Sequence, residues 1–339
     1  MRALRTLPVV AVIALALSAC AAAPAGETGP EAPGDASAFP VTIEHAFGKT
    51  TIEAKPERVA TVAWSNQEVP LALGVVPVGM PAVSWGDDDG DGVLPWVEER
   101  LGELGAETPV LFDETDGIDF EAVADTAPDV ILAAYSGLTQ DEYDTLSKIA
   151  PVVAYPEVAW GTSLEDMIRL DATALGLAEE GEELIERLHT EIDAALDANS
   201  AIADERVLFS WLDASDFSQI GFYTIHDTRP GFLASLGLPV PAIVAEESAR
   251  TDAFYTTVSA EEAERFADVD IFVSYGDPEG DLVERMQADP LLSKIPAIAA
   301  GRVVILPDAT PLAASANPSP LSIHATLRDY LALFAAQAG

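Results

Sequence analysis

Short apolar runs that alternate with helical patterns most constrain the fold of this 339-residue chain. Runs this apolar indicate strands of parallel sheets that helices cover on both faces. One set precedes residue 160 and the other follows residue 200. The predicted strands are Arg58–Ala63, Val75–Val78, Pro109–Phe112, Val130–Ala134, Val152–Ala154, Val207–Ser210, Val269–Ser274 and Val303–Leu306.

A helical stretch from about Ser163 to Asn199 separates the two sets of strands. Apolar residues recur there at near-helical spacing, and Gly176 and Gly181 are expected to divide it into two helices. The two halves repeat one order of elements: strand, Leu-Gly turn, acidic helix start, strand. We therefore predict an α/β fold of two Rossmann-like lobes with mainly parallel sheets, joined by one long interdomain helix. The predicted boundaries are 39–160 for the N-terminal lobe, 161–200 for the helical connector and 201–339 for the C-terminal lobe.

The N-terminus has the pattern of an export signal. Arg2 and Arg5 precede an apolar run, Leu7–Leu17, that is too short to span a bilayer as a helix. The segment Leu17-Ser18-Ala19-Cys20 resembles the lipobox of bacterial lipoproteins, and Cys20 is the only cysteine of the chain. We predict a signal peptide at 1–19, lipid attachment such as palmitate at Cys20, and a location on the outside face of the cell membrane. The alternative is an ordinary signal peptide with a chance cysteine.

Residues 20–38 are small, polar and rich in Pro and Gly, so they are predicted to form a flexible tether. The whole chain is strongly acidic, with 57 acidic against 17 basic residues and a net charge of −40. This balance argues against nucleic acid as a partner, because nucleic-acid binding needs a basic surface. It also disfavours a strongly anionic ligand.

Aromatic residues stand where ligands of open parallel sheets bind, beyond the carboxyl ends of the strands. Two lobes that face each other would bring these ends to one cleft, and aromatic rings suit a bulky ligand with a polar head. The alternative is that each ring caps the core of its own lobe. The strand-end candidates are Trp64, Tyr135, Trp211 and Tyr275.

Further candidates lie in turn-rich segments that are expected to form the lips of the cleft. Arg229 precedes Pro230-Gly231 at an apparent helix start, where its donors would reach a ligand oxygen. A surface ion pair is the alternative for Arg229. The aromatic lip candidates are Trp85, Trp160, Tyr223 and Tyr255.

An acidic loop fits the spacing of a calcium-binding loop. Asp87, Asp89 and Asp91 alternate before Gly92, and Glu98 follows at the distance of the last ligand. No entry helix is evident before the loop. A solvated acidic loop at a helix N-terminus is the alternative, so calcium binding stays open.

The sequence carries no motif of a known catalytic centre. There is no G-x-S-x-G, no G-x-G-x-x-G after a strand, no H-E-x-x-H and no P-loop. The four histidines are scattered singly, which disfavours a site for a bare transition metal. We therefore predict a binding protein without a cofactor of its own, and keep an extracellular enzyme and a structural lipoprotein as rivals.

Short segments over residues 40 to 335 resemble the substrate-binding lipoproteins of ABC importers for iron–siderophores, haem and cobalamin. Each segment is a few residues long, but their order and spacing together are specific. They are Lys55–Val59, Ala72–Gly79, Asp119–Ala122, Ala127–Ile131, Leu146–Val152, Val258–Glu261, Asp289–Leu291, Ile295–Ala297 and Gly301–Val304.

The resemblance implies a monomeric receptor that delivers its ligand to an ABC permease. It also implies that Glu121 and Glu261 dock one lobe each onto arginines of the permease. The alternative for both is a helix-start carboxylate that satisfies backbone donors.

The resemblance leaves the ligand less defined than the fold. A ferric hydroxamate siderophore is favoured, since it is neutral or carries a cationic tail and suits an acidic, aromatic cleft. Iron would enter only as part of this chelate. Some hydroxamate binders carry an arginine before the acidic helix of the first lobe, where this chain has Glu114, Thr115 and Asp116. Haem or cobalamin is the alternative ligand, with Tyr135 or Tyr275 as a possible axial group for haem.

Overall fold

A computed structural model describes residues 38–339, and all of them belong to one compact unit. The predicted signal peptide, Cys20 and nearly all of the tether lie outside the described residues. None of the helices within 38–339 is both long and apolar enough to cross a membrane.

The N-terminal lobe is built on a five-stranded parallel sheet with the strand order β5-β4-β3-β6-β7. An antiparallel hairpin of β1 and β2 lies outside this sheet. The strands are β1 (Val41–His45), β2 (Gly48–Ile52), β3 (Val59–Thr61), β4 (Gly79–Pro81), β5 (Val110–Phe112), β6 (Val130–Ala133) and β7 (Val152–Ala154). The helices are α1 (Glu68–Ala72), α2 (Pro95–Leu104), α3 (Phe120–Asp125), α4 (Gln140–Leu146) and α5 (Leu164–Ala174).

The C-terminal lobe follows the 21-residue helix α6 (Ala178–Ala198). Its three-stranded parallel sheet has the order β12-β11-β8, and β9 and β10 form a separate antiparallel pair. The strands are β8 (Val207–Phe209), β9 (Gln219–Tyr223), β10 (Tyr255–Ser259), β11 (Ile271–Gly276) and β12 (Val303–Pro307). The helices are α7 (Thr228–Ser235), α8 (Ala242–Ser248), α9 (Leu282–Ala288), α10 (Pro296–Ala299), α11 (Pro311–Ala314) and α12 (Pro320–Ala335), with 3-10 turns at Ser200–Ile202, Ala260–Phe266 and Leu292–Lys294.

The predicted class, two α/β lobes with parallel sheets and one long helix between them, is confirmed. The strands β3, β6, β7 and β8 are buried along their whole length, which is why they are almost entirely apolar. Helix α6 packs against α5 and α12, so it lies against helices of both halves of the chain. The exact boundaries at 39–160, 161–200 and 201–339 stay predictions.

The strand expected at Val75–Val78 lies too early, because β4 begins at Gly79. The amide of Val75 bonds back to the carbonyl of Pro70 at 2.8 Å and closes the turn after α1, whereas the amide of Val78 already donates to the carbonyl of Val59 at 2.8 Å. Gly79 then pairs with Ala60. A Cβ at Gly79 would lie 2.2 Å from Cζ of Phe112, so only glycine fits there.

The expected stretch does divide into two helices, α5 and α6, but only one of the two glycines lies at the break. Gly176 has a φ of 68° and ends α5, whereas Gly181 lies inside α6. A Cβ on Gly181 would lie 2.6 Å from Cβ of Ala172 in α5. Gly181 therefore permits close packing of two helices instead of breaking one.

Candidate functional site

The ends of β3 and β6 are joined by the buried side chain of Asn66. Its amide donates to the carbonyl of Val62 at 2.8 Å and to that of Tyr135 at 2.9 Å. Its oxygen accepts from the amide of Tyr135 at 2.9 Å. Asn66 thus fixes the two loops that carry Trp64 and Tyr135, and the sequence interpretation did not identify it.

The aromatic candidates of the N-terminal lobe form two contacting pairs. Ring centroids of Trp64 and Trp85 are 6.5 Å apart, and those of Tyr135 and Trp160 are 5.4 Å apart in an edge-on arrangement. Trp160 has a φ of 61°, and its amide donates to the carbonyl of Ser136 at 2.9 Å. That turn brings the indole back over the loop that follows β6.

Arg229 is the centre of the site in the C-terminal lobe. Its guanidinium lies 4.3 Å from the ring centroid of Tyr223, its Nε donates to the hydroxyl of Tyr275 at 2.9 Å, and its Nη1 donates to Asp227 at 2.9 Å. Asp227 also caps α7 by accepting the amide of Arg229. The guanidinium is therefore held rigidly by a ring, a phenol and a carboxylate.

The electrostatics of this group keep Arg229 charged. Burial alone lowers the pKa of the Arg229 guanidinium, but Tyr275, Asp227 and Tyr223 raise it further than burial lowers it. Burial raises the pKa of the Asp227 carboxyl, and the neighbouring Arg229 opposes that change. Burial likewise raises the pKa of Tyr275 to about 12, so its phenol stays protonated at neutral pH.

Two contacts cross between the lobes at this point. The rings of Trp85 and Tyr275 meet edge-on with centroids 5.8 Å apart. The hydroxyl of Tyr135 lies 3.0 Å from Oγ1 of Thr228, which itself donates to Asn317 at 2.9 Å. The carboxyl ends of the two sheets therefore face each other across one cleft.

Tyr255 and Trp211 continue the cluster toward the outside. The ring of Tyr255 contacts that of Tyr223 at 5.4 Å, and its hydroxyl donates to the carbonyl of Trp211 at 3.0 Å. The Trp211 residue is 54 % exposed, and it joins the cluster through its backbone. Six of the nine predicted ligand residues are thus linked by side-chain contacts. Tyr135 and Trp160 form a separate pair that reaches the C-terminal lobe through Thr228, and Trp211 lies at the rim.

A cavity of about 200 Å³ lies beside the aromatic cluster in the N-terminal lobe. Its lining includes Trp64, Trp160, Gln67 and Glu114. One oxygen of Glu114, Oε2, accepts from the amide of Ala63 at 3.0 Å. Burial and, to a smaller extent, the carboxylate of Glu142 raise the pKa of the Glu114 carboxyl to about 7, against the opposing effect of the Ala63 amide.

A second cavity, of about 530 Å³, lies between α5, α6 and α7. Its walls are mainly apolar and include Ile168, Leu188 and Phe232. It shares Asp227 and Thr228 with the surroundings of Arg229 but contains none of the predicted ligand residues. No sequence signal had indicated this cavity.

The acidic loop gathers three of its four predicted ligands. Carboxylate oxygens of Asp87, Asp89 and Asp91 lie within 4.8 Å of one another, and Glu98 on α2 is outside that group. Asp87 accepts from the amides of Gly90 and Gly92 at 2.8 and 2.7 Å. These bonds lower the pKa of Asp87 although its burial has the opposite effect. They are the bonds of a compact acidic turn, and calcium binding stays a hypothesis.

The two predicted docking carboxylates lie at equivalent places in the lobes. Glu121 is exposed in the first turn of α3, and Glu261 is exposed in the first turn of the 3-10 helix Ala260–Phe266. Neither makes an ion pair with another residue of 38–339. Asp119 and Ser259 cap the two helix starts, so both glutamates are available to a partner.

Comparison with known proteins gives relatives that match part of the chain. The probable siderophore-binding lipoprotein YfiY of Bacillus subtilis is 31 % identical over 146 residues, 42 % of this chain and 41 % of that protein. The Fe(3+) dicitrate-binding periplasmic protein FecB of Escherichia coli is 27 % identical over 216 residues, 62 % of this chain and 66 % of that protein. The matches thus span less than half of YfiY and just under two thirds of FecB.

Solved structures match over nearly the whole described region. PiaA of Streptococcus pneumoniae TIGR4 in complex with ferrichrome is 46 % identical, covers 88 % of this chain and 98 % of its own, and has a TM-score of 0.84. A periplasmic solute binding protein from Mycobacterium smegmatis is 26 % identical, covers 88 % of this chain and 99 % of its own, and has a TM-score of 0.68. The family model described as periplasmic binding protein matches residues 59–310. The chain therefore belongs to the periplasmic binding protein family.

Proposed function

We propose that this protein is an extracytoplasmic receptor that captures a ferric siderophore of hydroxamate type in the cleft between its lobes. The observation that carries the proposal is the likeness, at 46 % identity, to PiaA in complex with ferrichrome. Ferrichrome is a neutral ferric trihydroxamate. A neutral chelate of this kind suits a cleft in which aromatic rings surround one arginine whose charge is already balanced. This fit supports a ferric hydroxamate as the ligand of this protein.

The cleft offers what a hydroxamate chelate needs. Two hydrogen bonds of Arg229 engage Nε and Nη1, so within the described residues Nη2 keeps its donors for a hydroxamate oxygen. Trp64, Trp85 and Trp160 provide apolar surface for the organic shell of the chelate. The proposed ligand residues are those of the aromatic cluster together with Arg229. The metal needs no protein ligand, because the hydroxamates already bind it.

Haem is disfavoured by the protonation state of Tyr135 and Tyr275, the two tyrosines considered as its axial ligands. Burial raises the pKa of Tyr135 beyond the ordinary range, and its hydroxyl bonds to Thr228. Tyr275 has a pKa of about 12, and its hydroxyl accepts a bond from Arg229. A phenol is a good axial ligand as phenolate, and both sites oppose its formation.

We further propose that the chain is anchored through a lipid on Cys20 at the outside face of the cell membrane. Support comes from the lipobox pattern and from the relative named as a lipoprotein. The anchored monomer would dock through Glu121 and Glu261 onto an ABC permease. Labelling cells with a palmitate analogue tests the anchor, because Cys20→Ser should abolish incorporation.

A tryptophan fluorescence titration tests the ligand. We would titrate the chain from Ala21 onward, which contains the whole compact unit, with ferrichrome, a ferric catecholate, haem and cobalamin. Saturable quenching by ferrichrome at low concentration, without an equal response to the others, is the expected result. Quenching by haem or cobalamin alone would keep the fold and overturn the siderophore assignment. A response to none of the four would favour the structural-lipoprotein or enzyme hypothesis.

A further inference from the structure

The cavity of about 200 Å³ in the N-terminal lobe has the chemistry of a separate subsite. It shares Trp64 and Trp160 with the aromatic cluster, so it lies against the place proposed for the chelate. Its volume is too small for a ferric trihydroxamate, yet it has room for a short chain ending in a small polar group. The subsite is therefore a side pocket of the proposed ligand cleft.

Two acceptor oxygens of this pocket lack donors. Oε1 of Glu114 is buried and has no hydrogen-bond partner among the described residues, and the same holds for Oε1 of Gln67. Gln67 is only 3 % exposed. Glu114 lies just after β5, beside Thr115. It takes part in none of the ion pairs within 38–339. Buried acceptors of this kind are costly unless a donor reaches them.

The aromatic walls of the pocket add to its preference for a cationic group. The π-faces of tryptophan attract cations, and a carboxylate with an unmet oxygen attracts them more strongly. The carboxylate of Glu142 has the same sign as Glu114 and is close enough to raise the pKa of the Glu114 carboxyl. An anionic group would meet two like charges and two acceptors, so it is disfavoured.

We propose that Glu114, Gln67, Trp64 and Trp160 form a subsite for a protonated amine carried by the siderophore. This inference rests on the proposed function and adds to it a preference, among hydroxamate chelates, for those with a cationic tail. Glu114 accepts a charge-assisted hydrogen bond from the ammonium group, Gln67 accepts a second, and the indoles flank it. Glu114 is then a specificity residue: it selects among chelates by a group remote from the iron.

A matched pair of chelates isolates the amine. Ferrioxamine B is a linear ferric trihydroxamate that ends in a primary amine, and its N-acetylated form keeps the iron site but lacks the charge. We expect the protein to bind the amine form about tenfold more tightly at pH 8, where the Glu114 carboxyl is ionised. Fluorescence quenching reports both ligands, because both contain the ferric chelate.

Two variants assign the preference to the pocket. Glu114→Gln should reduce it to near unity while leaving the affinity for the acetylated form within about threefold, since a neutral amide holds no ion pair. Glu107→Gln removes one exposed carboxylate from the loop before β5 and should retain the full preference. Equal affinities of the wild-type protein for the two chelates, or an unchanged preference in Glu114→Gln, would overturn the amine subsite and leave the proposed function standing. Failure to bind either chelate or ferrichrome would overturn the proposed function and this subsite with it.

Discussion

The buried carboxyl of Glu68 joins the two lobes and is expected to make stability depend on pH. Glu68 begins α1 and is 0 % exposed. It accepts from Nε1 of Trp96 at 2.9 Å, from the amide of Leu321 at 3.2 Å, and from the hydroxyl of Ser319, the N-cap of α12. The N-terminus of α12, in the second half of the chain, is thus hydrogen-bonded to the carboxyl of Glu68 in the first half.

Burial raises the pKa of Glu68 from the ordinary 4.5 to about 7, although its hydrogen bonds act in the opposite direction. Between these two values the folded state binds the proton and the unfolded state does not. The stability contributed by the protonated carboxyl is fully present below pH 4.5 and is lost as the pH rises through about 7. The gap corresponds to roughly 3 kcal/mol, since one pKa unit is about 1.36 kcal/mol.

Replacement of Glu68 by glutamine removes the titration while keeping an acceptor oxygen. We expect the free energy of unfolding of the wild-type protein to fall between pH 5 and pH 8 by roughly 2 to 3 kcal/mol more than that of Glu68→Gln. Denaturant unfolding of both proteins at the two pH values measures this. The comparison is between variants because burial also raises the pKa of Asp171 and Glu114.

Glu99→Gln is the matched control, because it removes an exposed carboxylate from α2 without touching the lobe contact. It should show the wild-type pH dependence. If Glu68→Gln shows the same fall in the free energy of unfolding between pH 5 and pH 8 as the wild-type protein, Glu68 is not the titrating group. A wild-type protein that gains stability over that range would also contradict the raised pKa of Glu68.

Three further predictions concern the cleft and the docking surface. Asn66→Ala leaves the buried amide of Tyr135 unpaired, so it should cost about 2 to 3 kcal/mol in denaturant unfolding and weaken ferrichrome quenching as well. Arg229→Lys loses the planar fork that binds Asp227 and the Tyr275 hydroxyl, and should weaken ferrichrome binding roughly tenfold in the quenching titration. Glu121→Gln with Glu261→Gln should leave Kd unchanged and reduce iron uptake by cells; undiminished uptake would argue against docking.

The fold was predictable from sequence where burial is complete, and less so where it is partial. The strands β3, β6, β7 and β8 are buried along their length and appear as apolar runs. The hairpin β1-β2 and the strand β10 escaped prediction because polar residues interrupt them, as do the threonines of Gly48–Ile52. The strand β9 escaped because a glycine interrupts its short apolar run. The strand predicted at Val75–Val78 was misplaced because apolar composition alone does not show at which residue the pairing with the neighbouring strand begins.

The aromatic part of the site was predictable, and its polar part was not. Trp64, Tyr135 and Tyr275 follow or end buried strands, and the topology of parallel sheets brings such positions together. The residues that position or complement them are polar side chains whose burial no apolar pattern reveals. One signal did exist, since Ser65–Glu68 is a polar run directly after an apolar strand, and all four residues are buried.

The charge balance of the cleft connects these observations to ligand class. The one cationic side chain among the described ligand candidates, Arg229, is already paired with Asp227. The side pocket adds Glu114, and the chain as a whole carries −40. Burying a strongly anionic ferric catecholate in such a cleft would leave its charge uncompensated, which is costly in a low-dielectric site. A neutral ferric hydroxamate carries no net charge that needs compensation, and a cationic one gains, because its ammonium group meets the Glu114 oxygen that lacks a donor.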